Sequence, residues 1–326
     1  MLSYQHAFHA GNHADVLKHL VLIAVLEKLN KKTKPYFAFD THAGAGIYNT
    51  SNLPNNADEL AFEKLLEAEE GLNMAKHSGP DSTAADSTVK STVNNAVKKY
   101  VEILQKYAVQ DLYPGSPIIM SECARVQDSL HANELAEKMF ERLVQSNAIH
   151  VPRNKSINLH QRDAYASMKA LLPPSPKRGM VLIDPPYEQA SEYDQVIEAI
   201  NAALKKWPKG IFLIWYPLLS PKRVNRKTKQ VEINPKAHKS ADMLAALKQN
   251  IQSTDLIKQC TGGMLSIEFA QIAASQHIGM YGSGVCIINP PYELSASLEM
   301  LLSVLKKHIQ LDDNKLSSIN WHIHSL

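Results

Sequence analysis

The chain has 326 residues, 44% of them hydrophobic and 21% charged, with a formal net charge of +3. That much apolar material excludes wholesale disorder, and at roughly 150 residues per domain it suggests one large domain or a domain carrying an insertion. The weak positive charge permits an anionic partner without demanding one.

Cys123, Cys260 and Cys286 are far apart, odd in number and form no CxxC pair, which argues against a disulfide framework or a zinc finger and fits a reducing cytoplasm. The opening MLSYQHAFHAGNHADVLKH has neither the basic nor the apolar region of an export signal. No run reaches the ~18 apolar residues of a membrane span. A cytoplasmic protein with no membrane association is expected.

The first segment, HADVLKHLVLIAVLEKLNK, places Val16, Leu20, Ile23 and Leu26 at helical spacing, with Asn12 as N-cap and lysines at its far end. YFAFDTHAGAG follows, a short aromatic strand breaking into a turn with Gly44 and Gly46. Residues 51–113 interrupt this pattern: ADELAFEKLLEAEEGL and VNNAVKKYVEILQKYA read as helices around a polar, flexible middle. In YPGSPIIMSECARVQ, Ser116 is placed to cap a helix and Pro117 to fill its first turn.

Strands then alternate with helices: SLHANEL, SINLHQRDA, GMVLIDPP and GIFLIWYP, each but the last followed by a helical pattern, predict a parallel sheet covered on both faces. GMLSIEFAQI and GVCIINPPYEL are too close together for a crossover, so the last strand is expected to run antiparallel before a helix over 295–307. The expected α/β fold thus has seven strands, mostly parallel.

Ligands of such sheets collect at strand carboxyl ends. DTHAGAG lacks the third glycine of G-x-G-x-x-G, because Asn49 stands three residues after Gly46, which disfavours a pyrophosphate cofactor. A nucleoside-like cofactor without phosphates, S-adenosylmethionine, suits it better, although an ordinary tight turn would look the same. Glu134 closes the second strand, where a carboxylate can accept both ribose hydroxyls. Asp163 closes the third and can accept an adenine amino group, with Ala164 leaving room for the ring.

LIDPPYE, residues 182–188, could be a plain strand-terminating turn, but beside the strand-end acids it is expected to carry the reaction. An exocyclic purine amine is a weak nucleophile because its lone pair is delocalised into the ring. Two acceptors on its hydrogens, the Asp184 carboxylate and the carbonyl of Pro185, favour the pyramidal form, and Tyr187 can stack on the base. Asp184 need not be a strong base, since the proton becomes acidic only after the nitrogen has taken the methyl group. The near copy INPPYE at 288–293 offers Asn289, but an antiparallel last strand puts it at the opposite end of the sheet, so it reads as a structural turn.

MLSYQHAFHAGNHADVLKH, DTHAGAG, YPGSP, LIDPPYE and INPP, in this order and over nearly the whole chain, resemble the bacterial RlmJ family of 23S ribosomal RNA adenine-N6 methyltransferases. The resemblance implies a Rossmann-like class I methyltransferase fold with a small helical subdomain inserted after the first strand. The chain then divides into 1–50 and 114–326 as the methyltransferase domain and 51–113 as the insertion. It implies methylation of adenine 2030 in RNA numbering. Its cofactor contacts fall on His19, His42, Ser116, Glu134, Asp163 with Ala164, and Asp184, which is also catalytic. Tyr4, His6 and Lys18 border the adenine pocket, with Tyr4 touching substrate.

SPKRVNRKTKQVEINPKAHKSADM is longer than the family pattern; Lys222, Arg223, Arg226, Lys227, Lys229, Lys236 and Lys239 read either as a solvated loop or as a phosphate-gripping arm. His9 and His13 have i, i+4 spacing, but HAGNH lacks the glutamate of a zinc hydrolase and holds a glycine, so no metal is expected. With no separate RNA-binding domain apparent, protein-free 23S RNA is the favoured partner and a monomer the expected state. The competing readings are a DNA or other RNA amine as target, and a binding protein that keeps the fold without turnover.

Overall fold

The computed structural model describes residues 10–52, 84–225, 227–252, 262–270, 273–308 and 320–325. Helix α1 (His13–Asn30) starts where Asn12 Oδ1 accepts the amides of Ala14 and Asp15, at 2.9 and 3.0 Å. Its apolar residues are not confined to one stripe, and it is buried on nearly every side. Strand β1 (Phe37–Asp40) follows, and β2 (Ile47–Asn49) pairs antiparallel with β3 (Leu112–Pro114). The intervening excursion therefore leaves and rejoins the body at one two-stranded ladder. Its second half is helix α2 (Ala84–Ala108). The helix begins inside the stretch expected to be a flexible middle; the first expected helix, residues 57–72, lies outside the described residues.

The body continues with α3 (Ser116–Cys123), β4 (Ser129–Asn133), α4 (Glu137–His150), β5 (Ile157–His160), α5 (Ala164–Leu171), β6 (Gly179–Ile183), α6 (Ser191–Lys206) and β7 (Ile211–Leu219). A small hairpin, β8 (Lys222–Val224) with β9 (Val231–Ile233), precedes α7 (Lys239–Gln252). Strands β10 (Met264–Ala270) and β11 (Met280–Ile288), helix α8 (Leu294–His308) and β12 (Asn320–Ser325) complete the described chain.

The main sheet has the order β12-β10-β11-β7-β6-β1-β4-β5. The five strands from β5 to β7 are parallel, and β11 runs against both its neighbours as expected. The eighth strand, β12, adds antiparallel to β10 beyond the seven read from the sequence. Its six-residue pattern is too short to stand out without its partner.

The central parallel strands β1 and β6 are buried along their whole length, which is why they are apolar rather than alternating. Ala38, Met180, Leu182 and Leu213 face one layer containing α1, α2, α3 and α8. Phe37, Phe39, Val181, Ile183, Phe212 and Ile214 face the other, made by α5, α6 and α7. The order of strands reverses between β1 and β6, so their carboxyl ends flank the crevice in which open α/β sheets bind ligands.

Because α1 fills the first layer, truncating its fully buried Leu20 to alanine is expected to cost about 2–5 kcal/mol of stability in urea titration. A cost below about 1 kcal/mol would mean that α1 only leans on the core.

Candidate active site

The loops leaving the parallel strands are tied together before any ligand is considered. Asn133, buried at the end of β4, donates from Nδ2 to the carbonyls of Thr41 and Arg162, at 3.1 and 2.9 Å, and accepts the Ser167 hydroxyl at 2.7 Å. One side chain therefore joins the ends of β1, β4 and β5. Thr41 donates its amide and its hydroxyl to the Leu182 carbonyl, at 3.0 and 2.9 Å, joining β1 to β6.

The Gly44 turn is held from both sides. Its φ is +60°, and a Cβ there would lie 2.2 Å from the Tyr48 hydroxyl, so glycine is required. Its amide donates to Glu134 Oε2 at 3.0 Å, while Glu134 Oε1 accepts the Ala136 amide at 2.8 Å. Glu134 is thus fixed by two backbone donors, each oxygen keeping a lone pair for a ligand hydroxyl. Asp163 caps α5 through the Ala166 amide at 2.8 Å and is exposed, beside a buried Ala164.

Asp40 ends β1 fully buried. Burial pushes its carboxyl up to about 6, although the Ser116 hydroxyl and the His42 amide favour the ionised form and hold the shift back. Ser116 therefore does not cap α3 as the sequence suggested. Gly115 occupies the cap position, and the Ser116 hydroxyl turns to Asp40. Burial pushes the part-buried His42 down to about 4, against the pull of Asp184 and Asp163, so the ring is neutral, and with the Thr41 proton given to Leu182 its Nδ1–H donates to the Thr41 hydroxyl oxygen at 2.8 Å.

Asp184 begins the loop after β6, one neighbour along from Asp40. Its Oδ2 accepts Lys18 Nζ at 2.6 Å, and Lys18 also donates to Asp15 Oδ1 at 2.7 Å. Burial works against the ammonium, but the two carboxylates outweigh it and hold Lys18 well above its ordinary pKa. Asp15 is fixed in turn by the Gly11 amide, which donates to Oδ2 at 3.0 Å. Lys18 holds the Asp184 carboxylate, whose side chain stays 15% exposed.

Pro185 is buried, and Tyr187 adopts a left-handed φ of +49°. For an aromatic residue that conformation costs on the order of 1–3 kcal/mol and persists only where the surroundings fix it. Here they do: the ring packs 4.4 Å from Tyr193, and the hydroxyl donates to the Trp215 carbonyl at 2.9 Å. This corrects the expectation of an open stacking platform, since Tyr187 is 2% exposed and its ring belongs to the core of the α6 layer.

The other expected residues divide similarly. His19 lies in α1, 1% exposed, with Nδ1 between the hydroxyls of Tyr113 and Tyr100 at 3.0 and 3.2 Å, where it joins α1 to α2 and β3. Tyr4 and His6 lie outside the described residues. Asn289 sits at the far end of the sheet, donating to the Pro208 and Gly210 carbonyls just before β7, both at 2.8 Å. The reading of its NPPY as a structural turn therefore stands on observed geometry.

A match to the family described as ribosomal RNA large subunit methyltransferase D, RlmJ, runs over residues 33–323. The chain belongs to the RlmJ family. Two relatives named ribosomal RNA large subunit methyltransferase J cover 98% of this chain and 99% of their own lengths: that of Haemophilus influenzae is 32% identical, that of Escherichia coli 31%. A crystal structure of a Legionella pneumophila protein superposes with a TM-score of 0.72 at 26% identity, over 97% of this chain and 98% of that one.

In this RlmJ-family chain the structure brings Lys18, Asp40, His42, Ser116, Glu134, Asp163 and Asp184 to one end of the sheet. Asp15, Asn133 and Lys236 share that end and were not singled out as site residues by sequence reasoning. Asp15 lies three residues before Lys18, a helical spacing that carries a signal only once Lys18 is known to be buried.

The Asp40 shift predicts a pH dependence. A carboxyl with a raised folded pKa favours folding while protonated, so its contribution is present below about 4 and lost as pH rises through about 6. Asp40→Asn, in ligand-free protein, should therefore gain stability over the parent at pH 8, by up to about 3 kcal/mol, and little at pH 4. Urea titrations at both values check this, and an equal difference at both would reject it.

Proposed function

We propose that this chain transfers a methyl group to the N6 amine of an adenine in 23S ribosomal RNA, adenine 2030 in RNA numbering. At the coarser level, membership of the RlmJ family makes it an S-adenosylmethionine-dependent enzyme that methylates large-subunit ribosomal RNA. The observation that carries the finer reading is Asp184: a carboxylate at the switch point of the sheet, followed by Pro-Pro, with one oxygen held by a buried ammonium.

The residues at the strand ends fit S-adenosylmethionine. Glu134 is oriented for the ribose hydroxyls, Asp163 beside the small Ala164 for the adenine, and Asp40, Ser116 and His42 line the turn nearest the reacting centre, with His19 a more distant cofactor contact from α1. When bound, this cofactor would supply an electrophilic methyl on a sulfonium, whose S–CH3 bond breaks as the new bond forms and which leaves as the neutral thioether.

Asp184 and the Pro185 carbonyl accept the two hydrogens of the target amine and turn its lone pair toward the methyl group. Lys18 draws on Oδ2, which fixes the carboxylate plane and leaves Oδ1 for the amine. No strong base is needed. Once the N–CH3 bond has formed the nitrogen is cationic, and its surplus proton passes to Asp184 or water. Tyr4, His6 and Lys18 bound the adenine pocket in this reading. Tyr187 acts by shaping the loop, and any stacking on the base would need its ring to leave its present packing.

RNA phosphates demand positive charge, and Lys222, Lys227 and Lys229 are exposed on the hairpin at the carboxyl end of β7, the same end as Asp184. Arg223 is less available, being paired with Glu232 at 2.7 Å. Protein-free 23S RNA, bound by a monomer in the cytoplasm, completes the proposal. Among the described residues no helix is long and apolar enough to cross a membrane.

With labelled S-adenosylmethionine and unmodified 23S RNA, N6-methyladenosine is the expected nucleoside, and Asp184→Ala should reduce its formation at least about a hundredfold. Near parental turnover in that variant would remove Asp184 from the chemistry. A different methylated nucleoside would refute the adenine assignment. Replacing Lys222, Lys227 and Lys229 with glutamine should make the fall of RNA affinity with salt shallower, by up to three phosphate contacts; an unchanged slope takes the hairpin out of RNA binding.

A further inference from the structure

The basic insertion after β7 reaches the catalytic loop directly. Lys236 Nζ donates to two successive carbonyls of that loop, Tyr187 at 2.6 Å and Glu188 at 2.9 Å. These are the residues at and just after the left-handed turn that ends Asp-Pro-Pro-Tyr. The segment bearing Lys236 is itself anchored. Buried Asn234 donates its amide to the Pro221 carbonyl and its side chain to the Ser220 carbonyl, at 2.8 and 3.0 Å, and its Oδ1 accepts the Lys236 amide at 3.1 Å. Ser240 then ties the start of α7 to the Pro217 carbonyl at 2.7 Å.

We propose that Lys236 is a positioning residue for the methyl-acceptor loop: its ammonium, fixed to the end of β7, clamps the Tyr187 and Glu188 carbonyls and so holds Asp184 and the Pro185 carbonyl in register with the target amine. The prolines restrict the first half of the loop, because neither can rotate freely about φ and the residue before a proline is held extended. The second half, where a non-glycine residue sits in a left-handed conformation, is held by the Tyr187 ring packing and hydroxyl bond and by the Gln189 amide on Glu192, and its backbone carbonyls at Tyr187 and Glu188 need a restraint of their own. Two charge-assisted hydrogen bonds from one ammonium supply that restraint. An ammonium suits the task because it offers three donors from one point, enough for adjacent carbonyls that face the same way. The insertion is then part of the active site as well as a surface for RNA.

This inference rests on the methyl-transfer reading of the same site, and the test separates the two. Lys236→Met keeps the aliphatic stem and removes the donors; Lys236→Arg returns two donors. In methyl transfer to unmodified 23S RNA, the Met variant is expected to lose at least tenfold in kcat. Its KM for RNA, its affinity for S-adenosylmethionine and the salt dependence of RNA binding should stay within twofold of the parent. The Arg variant should recover most of the rate. Amide hydrogen exchange at Tyr187, Glu188 and Gln189 should quicken in the Met variant and not elsewhere in the sheet. If Met does not fold, Lys236→Gln takes its place in every measurement.

An unchanged kcat overturns the inference. So does a loss confined to RNA KM with a shallower salt slope, which would make Lys236 a phosphate contact. Parent protein that yields no N6-methyladenosine defeats the methyl-transfer reading instead, and hydrogen exchange alone then decides whether Lys236 holds the loop.

Discussion

The ion pair between Lys18 and Asp184, 2.6 Å long and nearly sealed from solvent, ties two segments 166 residues apart. Moving charges out of water costs several kcal/mol each, and the cost is offset only where geometry and further hydrogen bonds are good. Asp15 supplies the second carboxylate and the Gly11 amide anchors Asp15, so every member of the cluster is held. The arrangement makes α1 a part of the active site: without it Asp184 would lose its partner and its orientation. It also explains why α1 is buried all round, since a helix carrying an internal ammonium to the centre of the sheet must enter the layer rather than lie on it.

The second constraint is topological. Strands β1 and β6 are adjacent and parallel while the chain departs from them in opposite directions, so their carboxyl ends open one crevice. Asp40 and Asp184 stand at these two ends. Asp40 is the deeper one, and burial above all, with a smaller push from the Asp184 charge, raises its carboxyl to about 6. Asn133 and Thr41 lock the surrounding loops to one another through carbonyls, without adding charge. Between β1, β4, β5 and β6 the loops are thus held by neutral groups.

Much of this was legible in the sequence because it depends on local period and order. The Asn12 cap, the apolar strands and the strand-helix alternation each declare themselves within about twenty residues. The choice between Asp184 and Asn289 followed from one further step, that a short connection cannot make a parallel crossover, and the hydrogen bonds of Asn289 at the far end of the sheet agree. What escaped depends on contacts remote in sequence. Ser116 resembled a cap because small hydroxyl residues before a helical proline usually cap, and only the position of Asp40 redirects it. Tyr187 resembled a platform because nothing in DPPYE reveals that Tyr193, Trp215 and Met243 surround it. Strand β12 and the 222–233 hairpin are each too short to be recognised without their partners.

The distribution of charge then addresses a difficulty common to proteins that modify nucleic acid. A crevice lined by Asp40, Glu134, Asp163 and Asp184 suits a cationic methyl donor but repels a polyanion. A uniformly basic crevice would reverse both effects. In this chain the carboxylates stand at the strand ends, with Lys18 compensating Asp184, whereas Lys222, Lys227 and Lys229 are exposed on a hairpin at the same end of the sheet. At physiological salt, fields between exposed charges decay over ~8 Å, so a rim of lysines and a floor of carboxylates can act on different parts of one substrate. On the proposed reading the backbone of the RNA meets the rim, and a single uncharged base enters the crevice. Lys236 sits where these two zones join, its ammonium on the Tyr187 and Glu188 carbonyls, so that the basic segment is bonded directly to the loop that carries Asp184.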